Sequence, residues 1–148
     1  MRKNAVILLV EDDEVDVMAV ERAMRQNEMA NPLHVVGDGE EALRFLLHED
    51  EYGDPETAPR PDLILLDLNM PRMNGLEFLR IVKKSVELRE IPVVVLTTSD
   101  EEKDVKLSYA HCAAGYIVKP VSFDNFVEAV KTLFVYWTLS RTPRQAAR

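Results

Sequence analysis

Residues 63–79 read Leu63-Ile-Leu-Leu-Asp67-Leu-Asn69-Met-Pro71-Arg-Met-Asn74-Gly75-Leu-Glu-Phe-Leu79, and three kinds of local structure follow one another along them. The first four residues form a short, continuous apolar run, which suits a strand covered on both faces better than one with a wet side. Asp67 ends that run. Pro71 and the Asn74-Gly75 pair then mark a turn, after which Leu76, Leu79 and Val82 recur at helical spacing. The segment is a βα unit with an acid at the carboxyl end of its strand.

The same unit recurs in both directions. Apolar runs at Val6 to Val10, Leu33 to Val36, Val93 to Leu96 and Tyr116 to Val118 predict four more strands. Val17, Val20 and Met24 predict a helix after the first strand, and Ala42, Phe45 and Leu46 one after the second; residues 100–110 carry a weaker pattern. The clearest stripe lies in a helix expected over 123–139, where Phe126, Val127, Val130, Leu133, Phe134 and Trp137 share one face and Val135 and Leu139 point away from it. Five βα units in series predict an α/β fold, with a parallel sheet between two helix layers and right-handed crossovers. A doubly wound sheet is the favoured topology, and such sheets bind ligands outside the carboxyl ends of their strands. Residues 48–61, with three prolines, a glycine and several acids, predict a long surface loop.

Composition narrows the function. A chain of 148 residues predicts one domain spanning 1–148, with a core over about 5–139 and a flexible tail over 140–148. A hydrophobic share of 47% with 30% charged residues is that of a globular protein. No apolar run approaches the roughly 20 residues that cross a bilayer, so no membrane association is expected. The start passes from a short apolar run straight into acids, unlike a secretory signal, which makes a cytoplasmic location the expectation. A net charge of -8 argues against direct nucleic-acid binding. Arg141, Arg144 and Arg148 read as a sparse basic tail that solvates the terminus. Cys112 has no second cysteine to pair with, and His111 beside it does not make a metal site; it is expected to be a buried or half-buried small hydrophobe.

The strand ends carry the chemistry. The first strand runs into Glu11-Asp12-Asp13, the third into Asp67, the fourth into Thr97-Thr98-Ser99 and the fifth into Lys119-Pro120. If the first and third strands are neighbours, Glu11, Asp12 and Asp67 converge and repel one another unless a cation offsets them. A hard divalent ion fits, and one or two carboxylates with waters and phosphate oxygens suit Mg²⁺ better than Ca²⁺. A single acid at a strand end is more often a helix cap, and Asp13 is expected to cap the first helix. Four strand ends contributing acids, hydroxyls and a lysine point instead to phosphoryl chemistry.

The stretches LLVEDD, LILLDLNMPRMNGLEFL, IPVVVLTTS and YIVKP, in this order and spacing, resemble the response-regulator receiver domains of two-component signalling, from Val6 to about Trp137. The resemblance implies a flavodoxin-like doubly wound (βα)5 fold with sheet order 2-1-3-4-5. It implies Asp67 as phosphoacceptor for a phosphoryl group from a sensor histidine kinase, with Mg²⁺ held by Asp12, Asp67, the main-chain carbonyl of Asn69 and, through water, Glu11. Lys119 would supply positive charge to Asp67 and then to the phosphoryl oxygens, from a Lys119-Pro120 peptide that is a candidate cis bond. Thr97 and Tyr116 match the family's switch pair. Two departures are visible: Thr98 stands where many members have a smaller residue, and Asn74 where many have Asp.

Narrower features are similar to the single-domain regulators of phytochrome-type kinases: the long loop ending Pro59-Arg-Pro61, the run VVVLTTS, and the long last helix ending Phe134-Val-Tyr-Trp137. They imply a bacteriophytochrome-type sensor kinase as partner, output by protein–protein contact, and a homodimer paired through Val135, Tyr136 and Leu139. Alternatives are a relay that passes the phosphoryl group to a histidine phosphotransfer protein, a phosphatase working through an aspartyl-phosphate, a flavodoxin-like cofactor binder and a phosphorylation-independent module. Asn69 argues against the phosphatase, because it occupies the place where a general acid would be needed.

Overall fold

The computed structural model describes residues 4–143, so Arg144, Arg148 and the rest of 144–148 lie outside the described residues. Five parallel strands, β1 (Ile7–Val10), β2 (Leu33–Val36), β3 (Leu63–Leu66), β4 (Val93–Thr97) and β5 (Gly115–Val118), form one sheet in the order β2-β1-β3-β4-β5. The expected doubly wound topology is the observed one. Helices α1 (Glu14–Gln26), α2 (Gly39–Leu47), α3 (Gly75–Lys84), α4 (Glu102–Ala110) and α5 (Phe123–Leu139) connect and close it.

Continuous apolar strands need two apolar coats, and the sheet has them. Leu8, Val10, Ile64, Leu66, Val93 and Val95 face a core built with α2 and α3. Their neighbours Ile7, Leu9, Leu63, Leu65, Val94 and Leu96 face the opposite core, built from α1 and α5. The α5 stripe read from the sequence is the buried one, Phe126, Val127, Val130, Leu133, Phe134 and Trp137. Helix starts are fixed by side chains accepting main-chain N–H groups: Asp13 from Val15 at 2.9 Å, Asp38 from Glu41 at 2.9 Å and Asn74 from Glu77 at 2.9 Å. Asn74 therefore performs the capping that an Asp would perform.

Two expectations are corrected. Residues 48–61 are more than a surface loop: Asp50–Tyr52 form a 3-10 turn, and Ala58 is fully buried in the α2/α3 core, with its carbonyl 2.9 Å from His48 Nε2. Cys112 is exposed. The chain reverses there after α4 in the left-handed region (φ 67°), and Ala113, one residue on, takes the core position instead.

Gly75 opens α3 where the helix meets the end of β3. Its N–H donates to Leu68 O at 3.0 Å, and an added Cβ would run into the main-chain oxygen of Asp67 and lie 2.7 Å from Leu68 Cα. These are backbone atoms that cannot rotate away. Gly75→Ala is expected to cost about 3 kcal/mol, the upper end for overpacking, and to lower the melting temperature by roughly 10 °C. An unchanged melting temperature in thermal denaturation would show that the β3–α3 contact yields easily.

Candidate functional site

The sheet's hydrogen bonding continues one residue beyond the strands. Asp67 N donates to Val10 O at 3.0 Å, Glu11 N to Val36 O at 2.9 Å and Lys119 N to Thr97 O at 2.7 Å. Glu11, Asp67 and Lys119 are thereby held by the backbone on the carboxyl edge, near the reversal of strand order between β1 and β3. One carboxylate oxygen each from Glu11, Asp12 and Asp67 lies within 4.8 Å of the others. Glu11 and Asp67 are buried and Asp12 is exposed. A groove of about 520 Å³ opens beside them, with Glu11, Asp12, Met18, Val36, Gly37 and Arg72 among its lining.

Lys119 is buried against these acids. Its ammonium bonds Glu11 Oε1 and Asp16 Oδ2, the latter at 2.6 Å, and stands 3.8 Å from Asp67 Oδ2. The expected direct bond to Asp67 is thus longer than a hydrogen bond, and Asp16 takes the ammonium instead. Asp16 was not legible as a site residue; its only signal is an acid three positions after the Asp13 cap, which any helix start tolerates. No cis peptide occurs among the described residues, so Lys119-Pro120 is trans. The side chain is aimed by the Lys119–Thr97 ladder bond and by its two acid partners rather than by an unusual peptide.

Burial raises the Glu11 carboxyl most, the neighbouring Asp67 carboxyl raises it further, and Lys119 only partly opposes them, so its pKa is pushed up to about 9. Burial would lower the Lys119 ammonium, but Asp16, Glu11 and Asp67 outweigh it and hold the pKa above the usual lysine value. The crowding of acids around one base contributes to both shifts. Glu11 Oε2 is buried without a hydrogen-bond partner. An orphaned carboxylate oxygen facing an oxygen-only donor set is the environment a hard divalent cation satisfies.

Thr97 is fully buried at the end of β4, with its hydroxyl 3.5 Å from Asn69 Nδ2 and 3.4 Å from Ser99 N. Asn69 Nδ2 also lies 3.4 Å from the Thr98 hydroxyl, while Asn69 N lies 3.4 Å from Asp67 Oδ1. Tyr116 is half-buried, and its hydroxyl donates to Ser99 O at 2.8 Å. The β4–α4 connection therefore touches both Thr97 and Tyr116.

A doubly wound sheet with acids after its first and third strands and a lysine after its fifth is the frame of a phosphoryl-accepting switch domain. A nucleotide-binding sheet would place a glycine-rich loop where these carboxylates stand. Comparison with known proteins gives the particular family. Residues 7–131 match the response regulator receiver domain. Response regulator Rcp1 of Synechocystis sp. is 39% identical over 132 residues, covering 89% of this chain and 88% of that protein. The Mn²⁺-bound crystal structure of Rcp1 superposes with a TM-score of 0.87 over 94% of this chain and 99% of the other, at 38% identity. The phosphorylated cyanobacterial phytochrome response regulator RcpA gives 0.89 over 95% and 99%, at 37% identity. The probable methanogenesis regulatory protein FilR2 of Methanothrix harundinacea is 38% identical over 133 residues, covering 89% of this chain and 83% of that protein. The chain belongs to the response-regulator receiver family.

Proposed function

We propose that this receiver accepts a phosphoryl group on Asp67 from the phosphohistidine of a phytochrome-type sensor kinase and signals by changing its protein contacts. The observation that carries the reading is the buried Glu11–Asp67–Lys119 cluster, in which acids outnumber the base beside an open groove. A carboxylate oxygen of Asp67 attacks phosphorus, the P–N bond breaks, and its electron pair returns to the kinase imidazole. Mg²⁺ would be held by Asp12, Asp67 and the Asn69 main-chain oxygen, with Glu11 acting through water, and would supply neutralisation of charge on the transferring oxygens. Lys119 contributes the remaining positive charge. Thr97 and Tyr116 form the switch, the first able to donate to a phosphoryl oxygen and the second tied to the β4–α4 segment at Ser99.

Asn69 offers an amide and no acid, so hydrolysis of the aspartyl-phosphate lacks a built-in proton donor and the domain is read as an acceptor, not a turnover enzyme. The likeness to the phytochrome response regulator RcpA favours a phytochrome partner. Residues 1–148 are read as one cytoplasmic domain that acts on proteins and not on nucleic acid; no helix among the described residues is long and apolar enough to cross a membrane.

Incubation with acetyl phosphate and Mg²⁺, followed by intact mass measurement, tests the acceptor. One base-labile phosphoryl group on the parent and none on Asp67→Asn is the expected result; an unlabelled parent, or equal labelling of both, would sink it. Red/far-red dependence of transfer from a phytochrome-type kinase tests the partner. For the dimer, Val135, Tyr136 and Leu139 are 50%, 63% and 83% exposed on α5, and a cleft of about 440 Å³ lined in part by Met29, Ala30, Val135 and Leu139 adjoins them. Symmetric pairing through this face is expected, and sedimentation that shows only monomer at high micromolar concentration would count against it.

A further inference from the structure

The acceptor reading leaves Asp16 without a role, yet its geometry is specific. Asp16 is the third residue of α1, a position where an acid usually faces solvent and complements the helix dipole. Here its side chain is only 18% exposed and turns inward to accept from the Lys119 ammonium at 2.6 Å. That ammonium has three donors. One goes to Glu11 Oε1, one to Asp16 Oδ2, and the Phe126 ring centroid lies 5.9 Å from the nitrogen on α5. Asp67 Oδ2 stays at 3.8 Å.

We propose that Asp16 is a positioning residue that holds the Lys119 ammonium off Asp67 before transfer and gives it up to the phosphoryl oxygens afterwards. This rests on Asp67 being the acceptor. An ammonium bonded directly to Asp67 would occupy a lone pair of the attacking carboxylate and repel a cation beside it. Held by Asp16 and Glu11 at 3.8 Å from Asp67 Oδ2, it leaves that lone pair free and weakens the repulsion, while remaining a short displacement away. A phosphoryl group adds roughly -1.5 to -2 charges and three acceptor oxygens, enough to compete for Lys119. Asp16 therefore sets how readily Lys119 changes partner.

Two affinities, measured by calorimetry, should move in opposite directions. In Asp16→Asn, Mg²⁺ alone is expected to bind about threefold more weakly, because Lys119 settles against Asp67. Beryllofluoride, a phosphoryl mimic, is expected to bind about tenfold more tightly at saturating Mg²⁺, because Lys119 then has one charged competitor fewer. Asp16→Glu, which restores the charge, should return both toward the parent, and Asp16→Ser provides a second neutral side chain if Asp16→Asn folds poorly. In a Lys119→Met background the Asp16→Asn change should leave beryllofluoride affinity unaltered, since the effect passes through the ammonium. Loss of both affinities together would indicate a merely structural role. Tightening that persists without Lys119 would indicate a simple through-space charge effect; either result overturns the proposal. A parent that binds no beryllofluoride would overturn the acceptor reading, whereas a binding parent with an unaltered Asp16→Asn overturns only the role of Asp16.

Discussion

Glu11→Gln is expected to be more stable than the parent by several kcal/mol at pH 9 in chelator, equivalent to a melting temperature more than about 10 °C higher. The folded-state pKa of Glu11 is pushed from the ordinary 4.5 up to about 9 by burial, Asp67 and the crowding of charge. Below 4.5 the carboxyl is protonated in both folded and unfolded chains and imposes no difference. Between 4.5 and 9 the unfolded chain releases the proton while the folded one retains it, so the parent loses stability as pH rises. The gap between variant and parent should therefore open over that window and close again at its acid end. Gln keeps an acceptor for Lys119 and has no proton to lose. Millimolar Mg²⁺ should narrow or invert the gap, because an ion that binds only the folded parent stabilises it by mass action. Denaturation midpoints measured against pH, with and without Mg²⁺, decide the matter; a gap independent of pH would place its origin in packing.

Lys119→Met should act in the opposite direction. Its side chain is 5% exposed and its ammonium faces the carboxyl groups of Glu11, Asp16 and Asp67. Removing one partner from a buried ionic cluster leaves the others uncompensated, at a cost of about 3 kcal/mol. In chelator at pH 7 the variant should melt roughly 10 °C below the parent, and Mg²⁺ should restore more stability to it than to the parent, because the cation then replaces the missing charge. A variant as stable as the parent in chelator would mean that water already screens the cluster.

The frame of the protein was legible because it depends on local patterns. Continuous apolar runs announced a sheet coated on both sides, and the α5 stripe was readable to the residue, since both follow from backbone periodicity alone. Glu11, Asp12, Asp67, Thr97 and Lys119 could be grouped because all stand at strand ends, which a parallel sheet delivers to one edge. Asp16 escaped because its importance depends on the angle at which α1 leaves β1 and on how far a side chain from β5 reaches across. Cys112 was misread for a related reason: one left-handed residue exchanges which of two neighbours faces the core, and nothing in the composition of His111-Cys-Ala113 signals it. The Lys119-Pro120 peptide is a third instance, where a proline permits two geometries and the surrounding contacts select one.

The ladder bonds that extend past the strands restrict where motion can occur. Because the amides of Glu11, Asp67 and Lys119 are tied to the Val36, Val10 and Thr97 carbonyls, respectively, across the sheet, the backbone at this end of the domain is braced. On the proposed function, a signal leaving it would be carried by side-chain rotation and by the segments whose amides lie outside the ladder, chiefly Thr98 to Glu101. A message sent this way would leave the sheet untouched and reshape one stretch of surface beside α4, and a partner would then distinguish the two states by touching that stretch alone.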